Sequence, residues 1–134
     1  MARSDFAWVN FDQQFNSSTT QATRSFTVEG NPIGTGYLLI QAFDVERGNH
    51  QILINGQALP SFDIPTHGNR QWFTWMDRIP AKYLEPGTNR LTIQRMGAED
   101  FFVANVAVHW RETETSGLVP VGPGNFTAEG LEQG

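Results

Sequence analysis

Five residues near the middle of the chain, His67, Asn69, Arg70, Trp72 and Trp75, combine the side-chain types that a sugar site uses. A flat indole packs against the apolar C–H face of a pyranose, and planar imidazole, amide and guanidinium groups meet its hydroxyls. The plainer reading of Trp72, Phe73 and Trp75 is core or sheet packing, the usual fate of large aromatics in a β-sandwich. If residues 71–76 (QWFTWM) form a strand, Phe73 and Trp75 share one side and Trp72, Thr74 and Met76 the other. One tryptophan then points inward and one outward. Trp8 and Trp110, near the two ends of the patterned region, are expected to be packing residues.

Other chemistries find less support. Asp44, Glu46, Asp63, Asp77, Glu99 and Asp100 each sit at a strand end or turn, where solvated carboxylates are common, and no spacing marks an acid/base pair. Asp44, Glu46 and Asn49, or Glu99 and Asp100, could offer oxygens to a structural calcium ion, although no Asp-rich ligand loop is present; no other cofactor is expected. His50, His67 and His109 are isolated, without the pair spacing of a metal site, and a structural role is expected for the first and last. There is no cysteine, no nucleophile elbow and no phosphate loop. Two glycosylation sequons, at Asn16 and Asn125, are triplets common by chance. The expectation is a protein that is not an enzyme, with no catalytic and no metal-binding residues.

The elements that would position these side chains are all extended. The 134 residues suit one domain, and ten phenylalanines, four tryptophans and thirteen glycines suggest strands joined by tight turns. Strands are expected at 4–12, 25–29, 37–45, 50–54, 59–64, 71–76, 89–95 and 101–110, with a loop at 16–23 and a break at 30–36 (GNPIGTG). Residues 37–45 are apolar at nearly every position, as in a central strand covered on both faces. They should pair with 50–54 as a hairpin, and Asn55-Gly56 should close a tight turn beyond it. Residues 79–84 could hold one helical turn, since Pro80 suits a first helical position and Pro86-Gly87 stops its continuation.

Such spacing predicts an all-β fold, an antiparallel sandwich of jelly-roll type with seven or eight strands. Residues 1–112 form the sandwich domain, and 113–134, with five glycines and two prolines, form an extended tail. A net charge of −5 and the lack of a basic run argue against nucleic acid, and no stretch is long enough to span a bilayer. No signal peptide is recognisable in residues 1–10, so the expected location is the cytoplasm or a particle that leaves the cell. Of the nine basic residues only Lys82 is a lysine, a usage that suggests a bacterial or phage source.

Residues 36–94 carry a buried strand, a hairpin ending in ILINGQALP (52–60), an aromatic strand and IPAKYLEPGTNRLTI (79–93). This arrangement is similar to the galactose-binding-domain-like jelly rolls of carbohydrate-binding modules and glycosidase sugar-binding domains. The resemblance implies a non-catalytic fold that binds saccharide at loop ends or on an aromatic face, often with a structural calcium. On that basis the expected partner is a saccharide, met by His67, Asn69, Arg70 and either Trp72 or Trp75. The alternative is a structural subunit of a virion, injection particle or other large assembly, a homo-oligomer held through the tail by Leu118, Val119, Val121 and Phe126.

Overall fold

The computed structural model describes residues 2–47, 50–60, 64–66 and 68–113. Within them eight strands form: β1 (Ala2–Phe15), β2 (Gln21–Val28), β3 (Asn31–Phe43), β4 (Gln51–Ile54), β5 (Gln57–Ala58), β6 (Trp72–Ile79), β7 (Gly87–Gln94) and β8 (Phe101–Thr113). They make two four-stranded antiparallel sheets, ordered β1-β8-β3-β6 and β2-β7-β4-β5. Apart from the β4–β5 turn, every connection passes from one sheet to the other. That is the strand order of a jelly roll, as the sequence predicts.

Alternation along each strand builds the core. Val9, Phe11 and Phe15 of β1, Leu38, Ile40 and Ala42 of β3, and Val103, Val106 and Val108 of β8 point inward from the first sheet. Phe26 and Val28, Ile52 and Ile54, and Leu91 and Ile93 meet them from the second. Each of these side chains other than Ala42 contributes about 1.5–3 kcal/mol on burial. β8 changes parity partway: Phe101 and Val103 are buried, then Val106 and Val108, and the pairing with both neighbours slips between Asn105 and Val103. This bulge lets both halves of a long strand keep their apolar residues inside.

Three local expectations change. Residues 37–45 and 50–54 do not form a hairpin, because β3 and β4 lie in different sheets and the crossing between them is anchored by buried Val45 and His50. Residues 79–84 make a single turn, with the Tyr83 amide donating to the Pro80 carbonyl at 3.3 Å and Lys82 at φ 75°; a positive φ there breaks any helix. Of 59–64, Leu59 donates its amide to the Ile52 carbonyl at 3.0 Å and Ile64 forms an isolated bridge with His50, while 61–63 lie outside the described residues. The turn after β4 behaves as Asn-Gly should, with Asn55 at φ 52° and Gly56 at φ 83°.

β3 is central, between β8 and β6, yet its second face is not covered. Tyr37 and Gln41 are exposed and Leu39 is half-buried. The continuous apolar run therefore does not mark a strand buried on both sides. It marks one buried face and one apolar face turned to solvent.

Candidate functional site

Pairing registers arrange that solvent face into rows. Phe6, His109, Tyr37 and Arg78 form one; Trp8, Ala107, Leu39 and Met76 the next; Asn10, Asn105, Gln41 and Thr74 the third; Gln14, Phe102, Phe43 and Trp72 the last. Trp8 is 63% exposed, so it is a surface residue and not the packing residue that its sequence position suggests. Trp110, in contrast, is buried.

Rings gather at both ends of this face. The Phe6 ring lies on His109 with centroids 5.7 Å apart, which makes His109 an exposed face residue. At the other end Trp72 packs on Phe43 at 5.1 Å and edge-on to Phe102 at 6.0 Å. Between them lies a row of amides. Asn105 Nδ2 donates to Gln41 Oε1 at 3.3 Å, while the Asn10 amide, Gln41 Nε2 and the Thr74 hydroxyl have no protein partner among the described residues.

Two grooves open on this face. One, of about 220 Å³, is lined by Trp8, Leu39, Gln41, Thr74, Asn105 and Ala107. The other, of about 290 Å³, is lined by Ser4, Asp5, Thr35, Tyr37, His109 and Arg111 among others. The two contain one carboxylate, Asp5, where glycoside hydrolysis uses a facing pair.

The five residues singled out in the sequence distribute unevenly. Trp72 lies at the end of the exposed face and is 51% exposed. Trp75, opposite Ile40 in β3, is on the other side of β6, with Phe73, and is 40% exposed because the second sheet's edge is the two-residue β5. The two indoles thus do not form one platform. Asn69 and Arg70 are exposed in the loop before β6, which is fixed by the Arg70 amide donating to Asp44 Oδ1 at 2.7 Å and the Asp44 amide to the Gln71 carbonyl at 3.0 Å. His67 lies outside the described residues.

The acidic groups considered for calcium serve the fold. Glu99 is not a solvated turn carboxylate: its side chain is almost fully buried, Oε2 takes a hydrogen bond from His50 Nε2, and Oε1 takes those of the Glu46 and Arg47 amides at 2.7 and 3.0 Å. His50 Nδ1 in turn accepts from the Met96 amide at 3.1 Å, and its ring stacks on Phe101 at 4.1 Å. Burial works to raise the Glu99 pKa, but the bonds from His50 and the two amides outweigh it and the net direction is down. Glu46 moves up, chiefly through the hydrogen bond with Asp44, then through burial and the nearby negative charges. Asp100 is exposed, 3.8 Å from Arg95. Asn49 lies outside the described residues, and among those described no three His, Asp or Glu side chains converge as a metal-ligand set.

Two further buried polar groups had no local signal in the sequence. Glu112 is fully buried; Oε2 accepts from Arg3 Nε and Nη2 at 2.9 and 2.7 Å, and Oε1 from Trp110 Nε1 at 2.7 Å. The bond to Glu112 raises the pKa of Arg3. Gly30 leaves the space this carboxylate needs, since a Cβ there would come within 2.4 Å of the Thr113 carbonyl and 2.9 Å of the Glu112 carboxyl carbon. Asn89, equally buried, accepts from Asn55 Nδ2 and the Glu85 amide, and donates to the Glu85 and Gly87 carbonyls.

Comparison with known proteins adds a family. A model of a family of unknown function (DUF7383) matches residues 3–112. The chain belongs to that family. No curated protein matches it in sequence. Among solved structures, dimeric latent PorU from Porphyromonas gingivalis is similar at 12% identity and TM-score 0.59, over 90% of this chain and only 15% of that one. A family 35 carbohydrate-binding module from Clostridium thermocellum is similar at 15% identity and TM-score 0.52, over 81% of this chain and 97% of the module. Another, from an environmental isolate, gives 20% identity and TM-score 0.51 over 66% of each chain. These likenesses show the jelly-roll fold shared with carbohydrate-binding modules, and fold alone does not assign function.

Proposed function

We propose that the protein is a non-catalytic binding module that takes a saccharide on the outer face of β1, β8, β3 and β6. The observation that carries this reading is the conjunction, on one sheet face, of exposed rings with amide groups that keep hydrogen-bonding capacity to spare: Trp8 and Tyr37 beside Asn10 and the Gln41–Asn105 pair, whose Gln41 Nε2 has no protein partner among the described residues. Rings offer apolar contact to sugar C–H groups, and a few well-placed polar groups orient the hydroxyls. Asn69 and Arg70 flank the Trp72 end of the same face. The likeness in fold to two carbohydrate-binding modules supports the reading as analogy.

Glycan-array screening followed by calorimetry tests it. Affinity should fall at least ~10-fold in Trp8→Ala, about 1.4 kcal/mol, with melting temperature unchanged. A folded Trp8→Ala variant that binds as well as the parent would remove this face from consideration.

A second reading rests on the apolar share of the same surface, where Trp8, Leu39 and Met76 stand side by side. Contiguous exposed apolar area also suits protein contact, as in a structural subunit of a larger assembly. Solution mass over a dilution series separates the two. A dimer or higher species that Trp8→Ala dissociates favours assembly, and a monomer that binds glycan favours the module.

A further inference from the structure

We infer that the ligand is a linear saccharide chain bound along its length, lying parallel to β8 and β3, with no terminal sugar held in a pocket. This rests on the saccharide reading above and specifies the class of saccharide. The first observation is size. The two grooves hold about 220 and 290 Å³, against the ~300–1,000 Å³ over which pockets enclose a small ligand. Both lie at or below the small end of that range and open along the sheet face, so neither encloses a ligand, and affinity is gathered over both.

The second observation is placement. Both grooves lie on the same sheet face, and their lining residues succeed one another along the same strands: Tyr37 and Gln41 on β3, His109 and Asn105 on β8. Tyr37 and Gln41 are four residues apart, about 13 Å at ~3.3 Å per residue, and from Tyr37 to Phe43 beside Trp72 is about 20 Å. Exposed rings stand on either side of the amide row, with Phe6, Tyr37 and then Trp8 toward one end and Trp72 at the other. Each of these rings stays open to solvent, so no described segment covers them. The polar groups also differ along the path. Arg111 and His109 line one groove, and uncharged amides and Thr74 the other, so successive sugar units meet different partners.

The experiment is calorimetry on the full chain with xylobiose and xylohexaose, cellobiose and cellohexaose, and mannobiose and mannohexaose. The expected result is that in at least one pair the six-unit sugar binds ~10-fold or more tightly than the two-unit sugar. Trp8→Ala and Tyr37→Ala should each weaken the longer ligand, because they belong to different grooves. Equal affinity for both lengths, or a Tyr37→Ala variant that binds the longer sugar like the parent, would overturn the inference and leave a single-unit site at Trp8. Absence of binding in all three pairs and on a glycan array would instead overturn the saccharide reading on which it rests.

Discussion

The two outer faces of this sandwich are built from the same kind of sheet and finished in opposite ways. On the second sheet the outward residues satisfy one another: Thr23 and Thr92 share a hydrogen bond of 2.8 Å, and Gln94 Nε2 donates to Gln21 Oε1 at 2.9 Å, each pair directly opposite in the β2–β7 register. Polar side chains dominate the β2–β7 part of that surface, with Ser25 and Thr27 of β2 and Arg90 of β7 exposed. On the first sheet the outward residues include rings and amides, and the cross-strand amide bond between Asn105 and Gln41 is long, at 3.3 Å. Cross-strand pairs of the first kind contribute about 0.2–1 kcal/mol each to the fold. Rings left in water contribute little to folding, and in the proposed reading their placement on one face serves a bound saccharide.

That contrast predicts that stability and binding separate by sheet. The largest effect belongs to Asn89→Ala in β7. It removes four hydrogen bonds from a fully buried position and strands the Glu85 amide, so chemical denaturation should show a loss of about 2–3 kcal/mol while glycan affinity in the folded fraction is unchanged. Lost affinity in this variant would mean that the sheets do not act separately.

Next comes Trp8→Ala, where binding should fall while stability moves by no more than ~0.5 kcal/mol, since its ring is mostly in water. A destabilisation of several kcal/mol, read from the urea midpoint, would show that Trp8 is part of the core after all.

A smaller effect tests the clasp between the sheets, in which His50, just before β4, holds Glu99, just before β8. The folded-state pKa of Glu99 is lowered, so its contribution is present above its ordinary value near 4.5 and is lost as pH falls through the folded value. Glu46 has the opposite sign: its pKa is raised, so its contribution is full below about 4.5 and fades as pH rises. Urea midpoints measured across the acid range should therefore drop less steeply in Glu99→Gln than in the parent. An identical acid profile in the two proteins would rule out this linkage. The smallest effect is Thr23→Ala, expected to cost ~0.5 kcal/mol or less and to leave glycan titrations untouched; any change in affinity would blur the distinction between the faces.

Local chemistry makes the strands and the tight turns readable. Asn55-Gly56 takes the positive φ that its residue types allow, and the two-residue period of 71–76 by itself assigns Trp72 and Trp75 to opposite sides of β6, where they lie. Periodicity tells which residues share a face and is silent on which face is covered. That is why Trp8 reads as packing and β3 as buried on both sides, when β1 and β3 each present apolar residues to water. The jelly-roll crossings separate β3 from β4, because a short polar turn is equally compatible with a hairpin and with a step between sheets. Glu112 with Arg3, and Glu99 with His50, join positions 109 and 49 residues apart, and nothing near either acid announces its partner. The tail expectation concerns residues outside those described, apart from Thr113, which continues β8 by one residue past the expected domain end.

The pairing of Ala2 with Thr113 sets how this body would yield under tension. Its first and last strands are antiparallel neighbours whose outer ends meet, so a pull applied between them falls on one ladder hydrogen bond after another. Such loading opens β1 from β8 like a zipper, beginning at Ala2 and Arg3, where the Glu112 clasp is the first strong obstacle. The same peeling carries Phe6 and Trp8 away from His109 and Ala107, so mechanical strain on the ends would dismantle the exposed face before the second sheet is disturbed.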